Sequence, residues 1–468
     1  MKTTTPTILI IIFLFPLLLF SQNNVSQLIS GSGQYPRVTN DAEHPCITKE
    51  QYKNIEKELA ASIKLLTIKN NSKAAEMATT FSWPLTMANG LNDCSYYYIS
   101  AYVDHDTASP GYKDWNCGTV TYDGHRGTDI CSSPYPFYKM DNNQLEVIAA
   151  APGTIVNKVD GNFDKNCAIN NLTANYIIIE HSDGSVALYW HMKMNSLTSK
   201  VVGQTVVAGE YLGVVGSSGD ASGPHLHFEV WSGTTANTLT DPYAGTCNTL
   251  NANTLWASQK PYSEPAIVKQ QVNTIAPVFP ACPATETPNE DSCFSGGAAA
   301  KFYIFIRNET SGLTANMRIL NPNGTTYSSW SHNSTNNYVS VSYYFTNRTL
   351  PSTSGTYTFE SVYNGDTCRK YFKINCSSVG IQENKTAAAS SIYPVPLITS
   401  ATVLMDNALT NATLELYNSL GQKVKKVNNI SGTTFKLDRD NLPAGLYFIC
   451  ITEDNRELIR NKLIIIDN

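Results

Sequence analysis

The chain has 468 residues, 42% hydrophobic and 15% charged, with a formal net charge of −5. That balance describes a globular chain and excludes a disordered one, and the absence of a long basic run leaves no electrostatic footprint for a nucleic-acid partner. At about 150 residues per domain, the length predicts three or so domains.

The sequence opens MKTTTPTILIIIFLFPLLLFSQ. Lys2 supplies a short positive region, Ile8 to Phe20 an apolar stretch, and Ser21 a small residue near a cut. The stretch is short for a bilayer span and predicts a signal peptide over 1–21, with no stable membrane span after its removal. An exported chain meets oxidising conditions. Its 11 cysteines contain no C-x-x-C pair and therefore predict disulfides.

Residues 22–78 hold one helical pattern. Tyr52, Ile55, Leu59, Ile63 and Leu66 recur at spacings of three and four and make one apolar face. Thr48 with Gln51 reads as a capping box, and Ile47 with Tyr52 as a hydrophobic staple. Such a helix is either a pro-segment or a packing element of the next domain.

From 79 to 260 the pattern is antiparallel β. YIIIE (176–180) and VALYWH (186–191) flank an Asp-Gly hairpin turn. Residues 261–300 carry Pro261, Pro265, Pro277, Pro280, Pro283 and Pro288 and predict a linker, pinned by Cys282 and Cys293. Residues 301–376 (KFYIFIR, ANMRIL, YVSVSYYF, GTYTFESVY, RKYFKI) predict a β-sandwich of immunoglobulin or fibronectin type, as a spacer or a binding module. A second linker over 377–390 leads to a small C-terminal β-sandwich, 391–468. The expected fold class is mainly β with one short N-terminal helix.

The chemistry concentrates in SGPHLHFEVW, Ser222 to Trp231. Strand alternation puts Leu226, Phe228 and Val230 on one face and His225, His227, Glu229 and Trp231 on the other. Two histidines thus point into a common space. GHRGTDI adds His125 and Asp129, four apart, which share a face of a helix or a strand. A His, a carboxylate and one more His give three ligands with an open fourth position, the arrangement of a catalytic zinc site. His191, ending YWH, is a further candidate.

His125-x-x-x-Asp129, Tyr189-Trp190-His191 and His225-x-His227 together resemble the lysostaphin-like (LytM-type) zinc endopeptidases, with the β-lytic peptidases as relatives. VIAAAPGTIV (147–156) and VGQTVVAGEYLGVVGSSGDASGPHLH (202–227) match as well, so the likeness covers about 110–235. It implies an antiparallel β-sheet metallopeptidase domain holding one Zn2+ through His125, Asp129 and His227. His191 and His225 would be catalytic beside the metal, either of them the general base. Tyr122 and Tyr189 are candidates for hydrogen-bond support of the transition state. The implied reaction is hydrolysis of Gly- or Ala-containing peptide bonds in peptidoglycan cross-bridges by a zinc-activated water. Some relatives act instead on glycine-rich, elastin-like proteins, and a rival of another class is a non-catalytic wall-binding or adhesive protein. CSSPYPFYKMDNNQLE (131–146) is an insertion against the family, and a Cys117–Cys131 bridge would pin the ligand loop. His181 is expected to be structural or to support a ligand from behind, and Glu229 to be a solvated or supporting carboxylate; His44, His105 and His332 receive no role.

SIYPVP (391–396), LELYNSLGQKV (414–424), LPAGLYF (442–448) and NKLIIID (461–467) resemble the C-terminal sorting domain of type IX secretion cargo, with Val395 where the family has Asn. This implies the type IX machinery as a partner, a secreted or cell-surface location, and the walls of other bacteria as target. Cys450 is the expected odd thiol.

Overall fold

The computed structural model describes residues 30–34, 46–69, 78–376, 390–453 and 456–467. The expected signal peptide and almost all of the second linker lie outside these. The chain divides between Cys376 and Ser377 into two compact units.

The first unit is built on an eight-stranded antiparallel sheet. Its main strands are β1 (Tyr97–Ala101), β2 (Thr128–Ser132), β3 (Gly153–Val159), β4 (Tyr176–Glu180), β5 (Val186–Trp190), β6 (Thr205–Val206) and β7 (His225–Trp231). They lie in the order β1-β2-β7-β5-β4-β3-β6, with Leu239–Thr240 paired to the end of β7. Alternation sends Leu226, Phe228, Val230, Tyr189 and Ile177 into one core. The short sheet of Leu85–Met87, Leu145–Ile148 and Tyr211–Val214 contributes Leu85, Val147 and Leu212 to that core.

The opposite face carries Val156, Ile178, Leu188, Trp190 and Trp231, and helix α1 (Lys49–Lys69) packs on it. Tyr52, Ile55 and Leu59 are buried there, with Ile63 and Leu66 partly so. Burying each large aliphatic side chain contributes about 1.5–3 kcal/mol. The capping box forms: the Thr48 N–H donates to Gln51 Oε1 at 2.7 Å and the Gln51 N–H to Thr48 Oγ1 at 3.2 Å. Ile47 is buried in the same cluster as Tyr52, as the staple requires.

A β-sandwich completes this unit, and it begins earlier in the chain than the composition suggests. Ala266–Asn273, inside the expected linker 261–300, is a strand paired with Ala299–Arg307. Its sheet continues through Val341–Thr349 to an edge strand, Ser30–Gln34. The facing sheet contains Thr314–Leu320, Thr326–Asn333, Gly355–Tyr363 and Asp366–Ile374. The polar run Lys269-Gln270-Gln271 disguised the strand, yet all three are buried and paired. Lys269 Nζ meets Asp93 at 2.8 Å, Gln270 donates to Ser361, and Gln271 accepts from the Tyr135 hydroxyl at 2.8 Å.

The disulfides are Cys94–Cys368, Cys117–Cys247, Cys167–Cys282 and Cys293–Cys376. They overturn both expected bridges. Cys282 reaches back to Cys167 instead of Cys293, and Cys131, placed on β2 and buried, donates to Ser100 Oγ at 3.2 Å instead of bridging Cys117. Cys46, Cys131 and Cys450 remain buried thiols. The insertion folds into α2 (Pro136–Asp141) and docks on the sandwich, where Tyr135 stacks on Phe279 at 5.6 Å. Lys139 Nζ lies 2.8 Å from Asp93, so one carboxylate serves two buried ammonium groups.

The second unit is a five-stranded antiparallel sheet. Ser400–Asn418 is its long, bulged strand, paired with both Lys423–Asp438 and Gly445–Glu453. Val403, Leu414, Ile449 and Leu463 fill its own core. Among the described residues no helix is long and apolar enough to cross a membrane.

Burial pushes the Asp93 carboxyl up, but Lys139 and Lys269 outweigh it and hold it below the ordinary range. Its contribution to stability is therefore complete above the ordinary carboxyl pKa and fades as pH falls through the lower folded value. Asp93→Asn should cost about 3–5 kcal/mol at neutral pH by stranding buried Lys139 and leaving Lys269 only Glu290, and should flatten the acid limb of the stability profile. Denaturant unfolding across pH measures both.

Candidate functional site

The register of three strands assembles the site. β2 and β7 pair with His227 opposite Asp129 and His225 opposite Cys131. β5 flanks β7 on the other side with Trp190 opposite His227, and His191 follows at once in the left-handed region, φ 67°. His125 lies in the turn before β2, which brings its ring back over Asp129. The same alternation removes Tyr189. It stands opposite Phe228, points into the apolar core, and its hydroxyl accepts the Ala150 N–H at 2.8 Å. The expectation that it supports a transition state is thus corrected. Tyr122 does reach the site, its ring 4.4 Å from that of His125.

Backbone carbonyls orient three of the four rings. His125 Nδ1 meets Tyr102 O at 2.7 Å, His191 Nδ1 meets Ser218 O at 2.6 Å, and His225 Nδ1 meets Gly223 O at 2.8 Å. A carbonyl only accepts, so each Nδ1 carries a proton and each Nε2 faces inward. His227 is turned the other way, with Nε2 3.3 Å from Glu229 Oε2 and Nδ1 inward. Glu229 also accepts from Tyr52 Oη at 2.7 Å, Arg126 Nε at 3.1 Å and Trp231 Nε1 at 2.6 Å. It is a supporting carboxylate, as its place behind His227 on the strand face suggested.

This arrangement makes acceptors converge. His227 Nδ1 is 2.8 Å from Asp129 Oδ1 and 3.2 Å from His125 Nε2, which is itself 3.2 Å from Asp129 Oδ1. Three such atoms this close repel one another unless protons on the imidazoles or a metal cation lie among them. Two borderline nitrogens and a carboxylate oxygen are a zinc-type donor set. Beside it, His191 Nε2 and His225 Nε2 are buried without a hydrogen-bond partner, their rings 4.5 Å apart.

The electrostatics follow from this crowding. Burial pushes the Asp129 carboxyl up, but His125 and His225 outweigh it and hold it well below the usual range. Burial lowers His125, and Asp129 more than compensates, lifting it to about 9. His191, farther from that carboxylate, is lowered by burial and by the charge of His225.

Sequence reasoning passed over Cys46, Tyr52 and Arg126. The Cys46 thiol lies within 4.8 Å of the ligand atoms of His125, Asp129 and His227, and likewise of His191 and His225. It is 2.8 Å from the Tyr122 hydroxyl. None of Cys46, His125, Asp129, His191, His225 and His227 is more than 3% exposed. No local pattern marked Cys46 for the site. The remaining histidines lie elsewhere: His105 pairs with Asp241 at 2.8 Å, His181 with Pro152 O at 2.7 Å and His332 with Glu309 at 2.8 Å. His44 is outside the described residues.

A buried His/Asp cluster on an antiparallel sheet defines a candidate metal site. Residues 124–240 match Peptidase family M23, and residues 391–466 match the secretion system C-terminal sorting domain. The chain thus carries an M23 peptidase domain and a sorting domain. It is 33% identical over 70 residues to the peptidoglycan DD-endopeptidase ShyC of Vibrio cholerae, covering 15% of each chain. It is 29% identical over 97 residues to an uncharacterized metalloprotease of Buchnera aphidicola, covering 20% of this chain and 25% of that one. The chain therefore spans a quarter or less of these curated relatives. Among solved structures, a mutant catalytic domain of the prophage-encoded M23 protein EnpA from Enterococcus faecalis is 22% identical. It covers 31% of this chain and 88% of that one, with a TM-score of 0.21.

Two glycines make room for the cluster. A Cβ on Gly216 would meet the Met192–Lys193 backbone at 2.4 Å, and one on Gly127 would meet the His227 ring at 2.7 Å and Phe228 O at 2.9 Å. Gly127→Ala is expected to destabilise the first unit by about 1–3 kcal/mol, read as a lower thermal midpoint; an unchanged midpoint contradicts this packing.

Proposed function

We propose that residues 79–260 are a zinc endopeptidase domain in which His125, Asp129 and His227 hold one Zn2+. The observation that carries this reading is the convergence of His125 Nε2, Asp129 Oδ1 and His227 Nδ1, with the two rings held from behind by Tyr102 O and Glu229. Bound zinc supplies Lewis acidity, polarising a peptide carbonyl and acidifying water. The protein's own part is proton movement and orientation. With its Nδ1–H fixed on a carbonyl, neutral His191 or His225 presents Nε2 to take a proton from the attacking water. The other, protonated, steadies the developing oxyanion or returns a proton to the leaving amine. Glu229 fixes the tautomer of His227, and Arg126 and Tyr52 fix Glu229.

The substrate we propose is the Gly- or Ala-containing cross-bridge of peptidoglycan from other bacteria. A signal peptide over 1–21 and the sorting domain would take the chain through the type IX machinery to the cell surface or beyond, leaving the producer's own wall behind.

Purified walls should lose turbidity with the zinc-loaded chain, tested with and without residues 1–78, and not after chelation or with Asp129→Ala or His225→Ala. His225→Ala should keep its zinc and lose about 10²–10⁴-fold in rate. Lysis that survives chelation and both substitutions sinks the zinc reading. Cleavage of elastin-like protein but not of walls moves the substrate to glycine-rich proteins, and wall capture without cleavage favours an adhesive role. Separately, Glu229→Ala is expected to weaken zinc about 10–100-fold in a competitive chelator titration.

A further inference from the structure

His191 and His225 are both oriented by one short polar loop. Ser217–Gly223 holds no apolar side chain larger than that of Ala221, so burial of its own side chains does little to fix its path. Yet Ser218 O accepts from His191 Nδ1 at 2.6 Å and Gly223 O accepts from His225 Nδ1 at 2.8 Å. We propose that Asn166, backed by the Cys167–Cys282 bridge, is the positioning residue that holds this loop and through it both rings, an inference that rests on the catalytic reading above.

Three observations carry it. The segment between β3 and β4 runs beside the loop as a strap. The Ser217 N–H donates to Asp164 O at 3.1 Å, the Asn166 N–H donates to Ser217 O at 2.9 Å, and Ala168 pairs with Ala221. Ser217 Oγ returns a bond to Asn166 O at 2.7 Å, and the Asn170 and Asn171 N–H groups donate to Asp220 Oδ1. Next, the Asn166 side chain is buried and reaches the middle of the loop. Its Nδ2 donates to Gly219 O at 2.7 Å, and its Oδ1 accepts from Asn170 Nδ2 at 2.9 Å. Gly219 turns there at φ 72°, and a Cβ on it would meet Ala174 at 2.7 Å, so the loop is pressed onto the strap. Finally, Cys282 Sγ, bridged to Cys167, lies 4.0 Å from both Asn166 O and Ser222 O, so one sulfur touches strap and loop together.

The bridge leads to rigid ground. Cys282 lies between Val278 and Thr287, which pair with each other, and Asn273 of the sandwich donates to Pro288 O at 2.8 Å. Lys165 Nζ meets Asp141 of α2 at 2.9 Å, and Thr285 donates to the same carboxylate at 2.8 Å. A carbonyl that swings lets its imidazole turn, and Nε2 sweeps with the ring. The proposed zinc ligands hang elsewhere: His125 on Tyr102 O and His227 on Glu229. Loosening the strap should therefore cost rate and spare the metal, and a misplacement of about 1 Å can cost on the order of 10²-fold.

The test compares the full zinc-loaded chain with Asn166→Ala and with the double variant Cys167→Ser/Cys282→Ser, on purified bacterial walls. Both should bind one zinc per chain, keep the wall concentration that gives half the maximal rate, and lose about 10–100-fold in maximal rate. In the histidine-15N-labelled chain, the Nδ1–H signals of His191 and His225 should exchange faster with water, while that of His125 stays as in the parent. Cys293→Ser/Cys376→Ser, which removes a bridge inside the sandwich, should keep both rate and signals. Unchanged His191 and His225 signals overturn the positioning role, as does an unchanged maximal rate. Loss of zinc or of the His125 signal along with the rate also overturns it, since Asn166 would then only support the fold. A parent chain that binds no zinc overturns the catalytic reading and this role with it. Should Asn166→Ala fold poorly, the double variant decides; should the full chain lyse walls too slowly to time, the imidazole signals decide.

Discussion

The pairing of Thr128–Ser132 with His225–Trp231 is the constraint on which the site depends. It sets His227 opposite Asp129, and strand alternation then places His225 and Glu229 on the same face. A slip of one residue would turn all of them into the apolar core and bring Leu226 and Phe228 out. That outcome is blocked because Leu226, Phe228 and Val230 already fill one side of the sheet, packed with Ile177, Tyr189 and Trp256. Hydrophobic burial on one face therefore positions polar chemistry on the other.

Holding so many polar groups in a dry place demands partners for each. Burying an unpaired polar group costs about 1–3 kcal/mol, and the fold answers with fixed carbonyls. Tyr102 O, Ser218 O and Gly223 O each take one ring proton, while Glu229 gathers His227, Arg126, Tyr52 and Trp231. What is left over is the inward set of nitrogens and the Asp129 oxygen. Around it the frame is stiff. The sandwich is joined to the peptidase sheet by Cys94–Cys368 and Cys167–Cys282 and by the buried Lys139–Asp93–Lys269 cluster. Helix α1 closes the remaining face.

Much of this was legible in the sequence, because it was local. The β pattern, the two faces of HLHFEVW, the amphipathic stripe from Tyr52 to Leu66 and the Thr48–Gln51 cap all depend on neighbours a few residues apart. What was hidden depended on distant partners. Lys269-Gln270-Gln271 looks like a linker until Asp93, Ser361 and Tyr135 are found beside it. Cysteine pairing followed tertiary contacts and not spacing, so Cys282 meets Cys167 and Cys117 meets Cys247. Tyr189 was misplaced because alternation from His191, two residues on, puts it on the site face, whereas the left-handed backbone at His191 breaks that alternation and Tyr189 joins Phe228 in the core. Cys46 could not be placed at all, since nothing local says where a capped helix will dock.

The central claim is that His125, Asp129 and His227 hold a metal ion. X-ray absorption at the zinc edge of the full chain measures that set directly. The account predicts one zinc per chain with two imidazole nitrogens and one carboxylate oxygen at about 2.0–2.2 Å. Zinc without imidazole scattering, or no stoichiometric zinc, would contradict it.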